Sequence, residues 1–124
     1  MKALKIYVAG PYSAATAAGL IENTNRAVEA GLKLFKKGHF PFVPHLTHYV
    51  DLLAQQKGIP MAWEEYLMWD KPWLEDCDAV LLLAPSRGAL LELEHAKRLG
   101  LRIFNNLDEI PDVPRSVQNP FLGT

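Results

Sequence analysis

The sequence predicts an α/β fold: a doubly wound, Rossmann- or flavodoxin-like parallel sheet of four to five strands with helices on both faces. Three observations carry this expectation. Short apolar runs alternate with longer stretches in which apolar residues recur every three or four positions, the pattern of successive β-α units. The run Ala79 to Ala84 is apolar throughout, as suits a central parallel strand covered on both sides. Gly10-Pro11 and further glycines fall where strands should open into loops and where helices should stop.

In chain order, Leu4 to Ala9 reads as a buried strand that ends at Gly10-Pro11. A helix follows over Ile21 to Lys37, its apolar side expected from Ala27, Val28, Ala30, Leu32, Leu34 and Phe35, and Gly38 closes it. Phe40 to Val43 makes a short second strand ending at Pro44-His45, and Thr47 to Gln56 a second helix ended by Gly58. Met61 to Asp76 is a third helical stretch, expected to break or kink near Pro72 because proline lacks the N–H and crowds the preceding turn. After the central strand, Ser86-Arg87-Gly88 turns the chain into a helix over Ala89 to Leu99, and Leu101 to Phe104 forms the last strand. Three prolines beyond Asn105 discourage regular structure. In such sheets ligands bind where loops leave the carboxyl ends of strands, here Gly10 to Ser13, His45 to His48, Ser86 to Gly88 and Asn105-Asn106.

At 124 residues, with 49% hydrophobic and 22% charged residues, the composition excludes a disordered or collagen-like chain, and a single domain over residues 1–124 is expected. Thirteen basic against fourteen acidic residues leave a net charge of −1, so no nucleic acid polymer and no membrane surface is expected as partner. The lone Cys77 excludes an internal disulfide and a multi-cysteine zinc site, and points to a reducing compartment, the cytoplasm. The longest apolar run is far short of a membrane span, and the segment after Met1-Lys2 is too short for a signal sequence.

Two acids stand out by where the helical period puts them. On the last helix Glu94, Lys97 and Arg98 share a charged arc, while Glu92 falls opposite, among Gly88, Ala89, Ala96 and Leu99. A carboxylate facing the protein costs several kcal/mol unless it is paired or opens into a cleft, where about the same perturbation would mark a site. The other reading is a Glu stabilised by the helix dipole and bonded to a loop. On the third helix Asp70 lies in a stripe of Trp63, Tyr66, Leu67, Trp73, Leu74 and Cys77. Two inward acids in different surroundings can divide labour, one as ionised nucleophile and one as proton donor. The alternative is that Asp70 caps a new turn at Pro72. His45 and His48 follow a strand end, but no HExxH accompanies them and Asp51 does not complete a metal set, so no metal is expected. His39 and His95 read as ordinary turn and helix residues. Neither GxGxxG nor GxxxxGK[ST] is present, so no dinucleotide or other cofactor is expected. Tyr12 is either a platform for a base or a core or rim aromatic.

The opening KIYVAGPYS, the segment Asp70-x-x-Trp73-Leu74, Cys77-Asp78 before the central strand, and Ser86-x-Gly88-x-x-x-Glu92 with Ala96 and Gly100 following, together resemble the nucleoside 2-deoxyribosyltransferase superfamily, which includes 2′-deoxynucleoside 5′-phosphate N-hydrolases. The resemblance covers roughly Lys5 to Phe104. It implies a doubly wound sheet and cleavage of an N-glycosidic bond through a glycosyl-enzyme intermediate, with Glu92 as nucleophile and Asp70 moving the proton at the nucleobase. Expected substrate contacts are Gly10, Tyr12, Ser13, His45, Ser86, Arg87 and Gly88, and the expected partner is a nucleoside or nucleotide. Transferases of the superfamily tend to carry an acid where Ser86 stands; a hydroxyl there tolerates a 5′-phosphate, which Arg87 would have to grip because the first loop has no arginine. Leu90-Leu91 stand where many relatives have a Gly and an aromatic. Transfer to a second base is the leading expectation, 5′-monophosphate hydrolysis the runner-up, and a non-catalytic nucleotide-binding module the third. Leu90 on the charged side of its helix, in so small a chain, leads to the expectation of a homo-oligomer.

Overall fold

Four strands, β1 (Lys5–Ala9), β2 (Phe40–Phe42), β3 (Ala79–Leu82) and β4 (Arg102–Phe104), pair in parallel in the order β2-β1-β3-β4. The computed structural model describes residues 1–122, so the last two positions of the expected 1–124 domain lie outside the described residues. Four helices accompany the strands: α1 (Ala17–Lys36), α2 (His48–Gln56), α3 (Trp63–Glu75) and α4 (Arg87–Arg98). Pro44–Thr47 and Leu107–Glu109 form 3-10 turns.

The two-residue period of the strands divides the core into two layers. Ile6 and Val8 of β1, with Ala79 and Leu81 of β3, face Ala27, Ala30 and Leu34 of α1. Tyr7, Ala9 and Val80 face the other way, toward Leu74 of α3, Cys77 just beyond its end, and Ala89 and Ala96 of α4. The sheet is therefore covered on both sides, as the uninterrupted apolar run of β3 requires. From β1 the chain moves first to β2 at one edge and then back to β3 on the other side. That reversal puts a switch point at the carboxyl ends of β1 and β3, where a crevice opens between diverging loops.

Several sequence expectations need correction. Helix α1 starts at Ala17, four residues earlier than the apolar pattern suggests, because Thr16 caps it: its hydroxyl accepts from the Gly19 amide at 3.0 Å. Its buried stripe is Ala27, Ala30, Gly31 and Leu34, while Val28, Leu32 and Phe35 are exposed. Small residues let the helix lie close to the sheet and β2. Helix α3 is not broken at Pro72 but runs through it, and Asp70 is thus an interior helical residue rather than a cap. Pro72 lies on the exposed side, where water reaches the carbonyl that its missing N–H leaves free. Trp73, expected inward, is 52% exposed, although one face stacks on Phe42, which in turn stacks on Tyr7. Leu99, expected beside Glu92 on the protein-facing side of α4, is exposed and forms the C-cap.

His39 is more than a turn residue. It is fully buried, its Nδ1 accepts from the Leu4 amide at 3.1 Å, and its Nε2 therefore carries the proton donated to the Pro111 carbonyl at 2.8 Å. The segment after the last 3-10 turn is thereby strapped across the start of β1. Gly38 adjoins this strap with φ +100°, and a Cβ there would sit 2.0 Å from the Val113 carbonyl oxygen.

Candidate functional site

All nine residues singled out as catalytic or substrate-contacting border one cavity of about 690 Å³ at the switch point. That volume falls in the range of roughly 300–1,000 Å³ typical of small-molecule sites. Three of the four loops expected to form a site do so. Asn105-Asn106 does not, because β4 is the sheet edge beyond β3; there Asn106 caps the final 3-10 turn through the Asp108 amide.

Glu92 reaches the cavity from the second turn of α4, six residues beyond Ser86, whose hydroxyl caps the helix by accepting from the Ala89 amide at 3.1 Å. Its carboxylate accepts a hydrogen bond from the hydroxyl of Tyr7, in the middle of β1. Burial pushes the Glu92 carboxyl up to about 7, the Tyr7 bond works the other way, and the nearby Asp70 charge adds to the rise. The Tyr7 hydroxyl is held well above its usual range, first by burial and then by the Glu92 and Asp70 charges, so it remains a donor.

Asp70 comes from α3 and is only 8% exposed. Its Oδ1 is buried without a hydrogen-bond partner among the described residues. Burial alone raises it to about 7. The two carboxyls thus differ in one respect: Glu92 has a hydroxyl stabilising its charge, and Asp70 has no such donor at Oδ1. Of the two carboxyls, Asp70 is therefore the better placed to hold a proton and Glu92 to carry a charge.

The remaining expected residues frame this pair. Gly10 offers its carbonyl to His45 Nε2 at 3.0 Å, and burial lowers the His45 imidazole, so the ring is neutral with its proton on Nε2 and no partner for Nδ1 among the described residues. Tyr12 and Ser13 sit in a loop braced by Asn23 of α1, whose side-chain amide donates to both carbonyls at 3.0 and 3.3 Å. Arg87 lies over the Trp63 ring, 4.5 Å from its centroid, which holds a cation at the cavity mouth. Gly88 leaves space toward the same ring, where a Cβ would make ordinary contact at 3.7 Å.

Sequence reasoning passed over Tyr7, Asp51 and Tyr66 as site residues. Tyr7 carried a usable signal, since a tyrosine in an otherwise aliphatic buried strand must find a partner for its hydroxyl. Asp51 carried none: it was weighed only as a metal ligand, and its partners Tyr12 and Tyr66 come from distant segments. Among the described residues no group of three or more His, Cys, Asp or Glu side chains is placed to hold a metal ion.

The fold and the cavity define an α/β protein whose switch-point crevice holds two perturbed carboxyls on facing helices. Residues 4–105 match the family described as domain of unknown function DUF4406, and the chain belongs to that family. No curated protein matches the sequence.

Proposed function

We propose that the protein cleaves the N-glycosidic bond of a (deoxy)nucleoside or nucleotide and passes the sugar to a second base or to water. The observation that carries this reading is the convergence of Glu92, hydrogen-bonded by Tyr7, and Asp70, raised by burial, on one cavity. The resemblance to the nucleoside 2-deoxyribosyltransferase superfamily supports it, since its implied nucleophile and proton donor fall on these two residues.

In the proposed reaction an ionised Glu92 oxygen attacks the anomeric carbon as the C–N bond breaks. The electron pair of that bond leaves with the base, and the proton on Asp70 neutralises it. A second base or a water molecule then attacks the anomeric carbon and gives its proton to the Asp70 carboxylate, the ester bond to Glu92 breaks, and both carboxyls return to their starting states. Tyr7 orients Glu92 and favours its charged form. Arg87, pinned on Trp63, is the group suited to a 5′-phosphate, which keeps monophosphate hydrolysis as the second reading.

The test incubates the protein with deoxynucleosides plus a second free base, and separately with deoxynucleoside 5′-monophosphates alone. Base exchange supports transfer, and free base with sugar phosphate supports hydrolysis. Binding without turnover would leave a nucleotide-binding module and overturn the enzymatic reading. Two further expectations belong with this proposal: self-association into a homo-oligomer, and residence in a reducing, cytoplasmic compartment, in keeping with the buried free thiol of Cys77. No helix among the described residues is long and apolar enough to cross a membrane.

A further inference from the structure

Asp51 borders the same cavity but takes no part in the chemistry assigned to Glu92 and Asp70. Both of its oxygens are held in place. Oδ2 accepts from the Tyr12 hydroxyl at 3.1 Å and Oδ1 from the Tyr66 hydroxyl at 3.1 Å. The Tyr12 oxygen also lies 2.7 Å from His48 Nδ1. A phenol has one proton, and here it goes to Asp51, so His48 Nδ1 is the donor in that contact. Three segments that meet only in the fold, the loop after β1, α2 and α3, thus aim one carboxylate. Each carboxylate oxygen has about two acceptor sites. One tyrosine on each leaves capacity for a further donor.

The position of this carboxylate along the cavity suggests which donor. Tyr66 and Asp70 are four residues apart on α3, so they stand one turn, roughly 6 Å, apart along the same cavity wall. Trp63 lies on that wall too, on the Tyr66 side of Asp70. The aromatic side chains of this wall, Tyr66 and Trp63, therefore lie on the Asp51 side of Asp70, Tyr66 holding Asp51, and the step from Asp70 to Tyr66 is about the width of a nucleobase.

We propose that Asp51 reads the nucleobase, accepting a hydrogen bond from an exocyclic amino group, so that the site selects cytosine- and adenine-type bases over uracil- and hypoxanthine-type bases. The inference rests on the N-glycosidic reading above. An amino group satisfies the carboxylate, whereas a carbonyl oxygen in the same place faces another acceptor, leaves it unpaired and is repelled.

The experiment compares kcat/KM for base release within matched pairs, deoxycytidine against deoxyuridine and deoxyadenosine against deoxyinosine, all with or all without a 5′-phosphate. The wild-type protein should favour the amino member of each pair by at least about tenfold, the scale on which buried hydrogen-bonding groups discriminate. Asp51→Asn should abolish or reverse that preference, because the amide can donate to a carbonyl; a purely structural Asp51 would lower all four rates alike. Tyr66→Phe, which keeps the carboxylate but frees one oxygen, should narrow the preference mainly through KM. If Asp51→Asn does not fold, the wild-type ratios and Tyr66→Phe still decide. Cleavage without an amino preference, or a preference that survives in Asp51→Asn, overturns this inference and leaves the glycosidic reading standing. Absence of cleavage for every substrate overturns the glycosidic reading and this inference with it.

Discussion

Glu92 and Asp70 carry the same functional group into the same cavity, and their neighbours set them apart. Glu92 receives the Tyr7 hydroxyl; Asp70 keeps a buried oxygen without a partner among the described residues. Glu92→Gln preserves shape and the Tyr7 contact while removing the attacking charge. Turnover should fall by at least about a hundredfold with substrate binding little changed, as for the loss of a covalent nucleophile. Steady-state rates alongside equilibrium binding check this, and near-full turnover would remove Glu92 from the mechanism. Asp70 also makes a stability prediction. Its folded value of about 7 lies above the ordinary 3.8, so between these pH values the folded state binds a proton that the unfolded state does not. Stability from this group is therefore present at low pH and is lost as pH rises through about 7. Asp70→Asn should match wild type near pH 4 and exceed it above pH 7 by about 1–2 kcal/mol, the scale of relieving a partly desolvated charge. Urea unfolding at the two pH values measures the difference, and a variant less stable than wild type above pH 7 would refute it.

At the scale of the elements, α3 is a principal wall of the candidate site, supplying Trp63, Tyr66 and Asp70 to the cavity. Its regularity through Pro72 keeps Asp70 and Leu74 on the buried face one turn apart. That regularity has a local cost, since an interior proline removes one helix bond. Pro72 is exposed, so Pro72→Ala should raise stability by about 1–3 kcal/mol, less whatever the proline contributes by restricting the unfolded chain. A higher Tm in a thermal melt checks it; a lower one would mean that the ring itself packs usefully. Strand β2 shows a different device. It is an edge strand with Pro41 at its centre, which removes a donor and discourages pairing with another chain's strand.

For the molecule as a whole, the sheet's switch point gathers residues from the first loop, the turn after β2, α2, α3 and α4 around one crevice, with Tyr7 of β1 holding Glu92 from within the core. Outside it, large apolar side chains remain half exposed, among them Leu32, Phe35, Phe40, Leu46 and Trp69 about a shallow groove beside β2, and Leu90 on α4. Apolar surface gathered in one place is a common mark of an interaction site. Light scattering at micromolar concentration should therefore report a homo-oligomer, and a monomer mass would overturn the proposed self-association.

Much of this was legible in the residues themselves. The apolar run of β3, the glycine stops and the three- and four-residue spacings determined a parallel α/β sheet, and the helical angle of Glu92 marked it as an inward acid before any neighbour was known. These are local properties: strand and helix periods follow from backbone geometry, and a charge on the wrong side of a helix is visible from that period alone. What surrounds each side chain is not local. That Tyr7 is the partner of Glu92, that Tyr12 and Tyr66 aim Asp51, and that His39 ties Leu4 to Pro111 all depend on contacts between residues separated by 15 to 85 positions in the chain. The same holds for Trp73 and Leu99, whose spacing predicts burial and whose neighbours leave them exposed. Periodicity says which way a side chain points; only the packing of one element on another decides what it meets there.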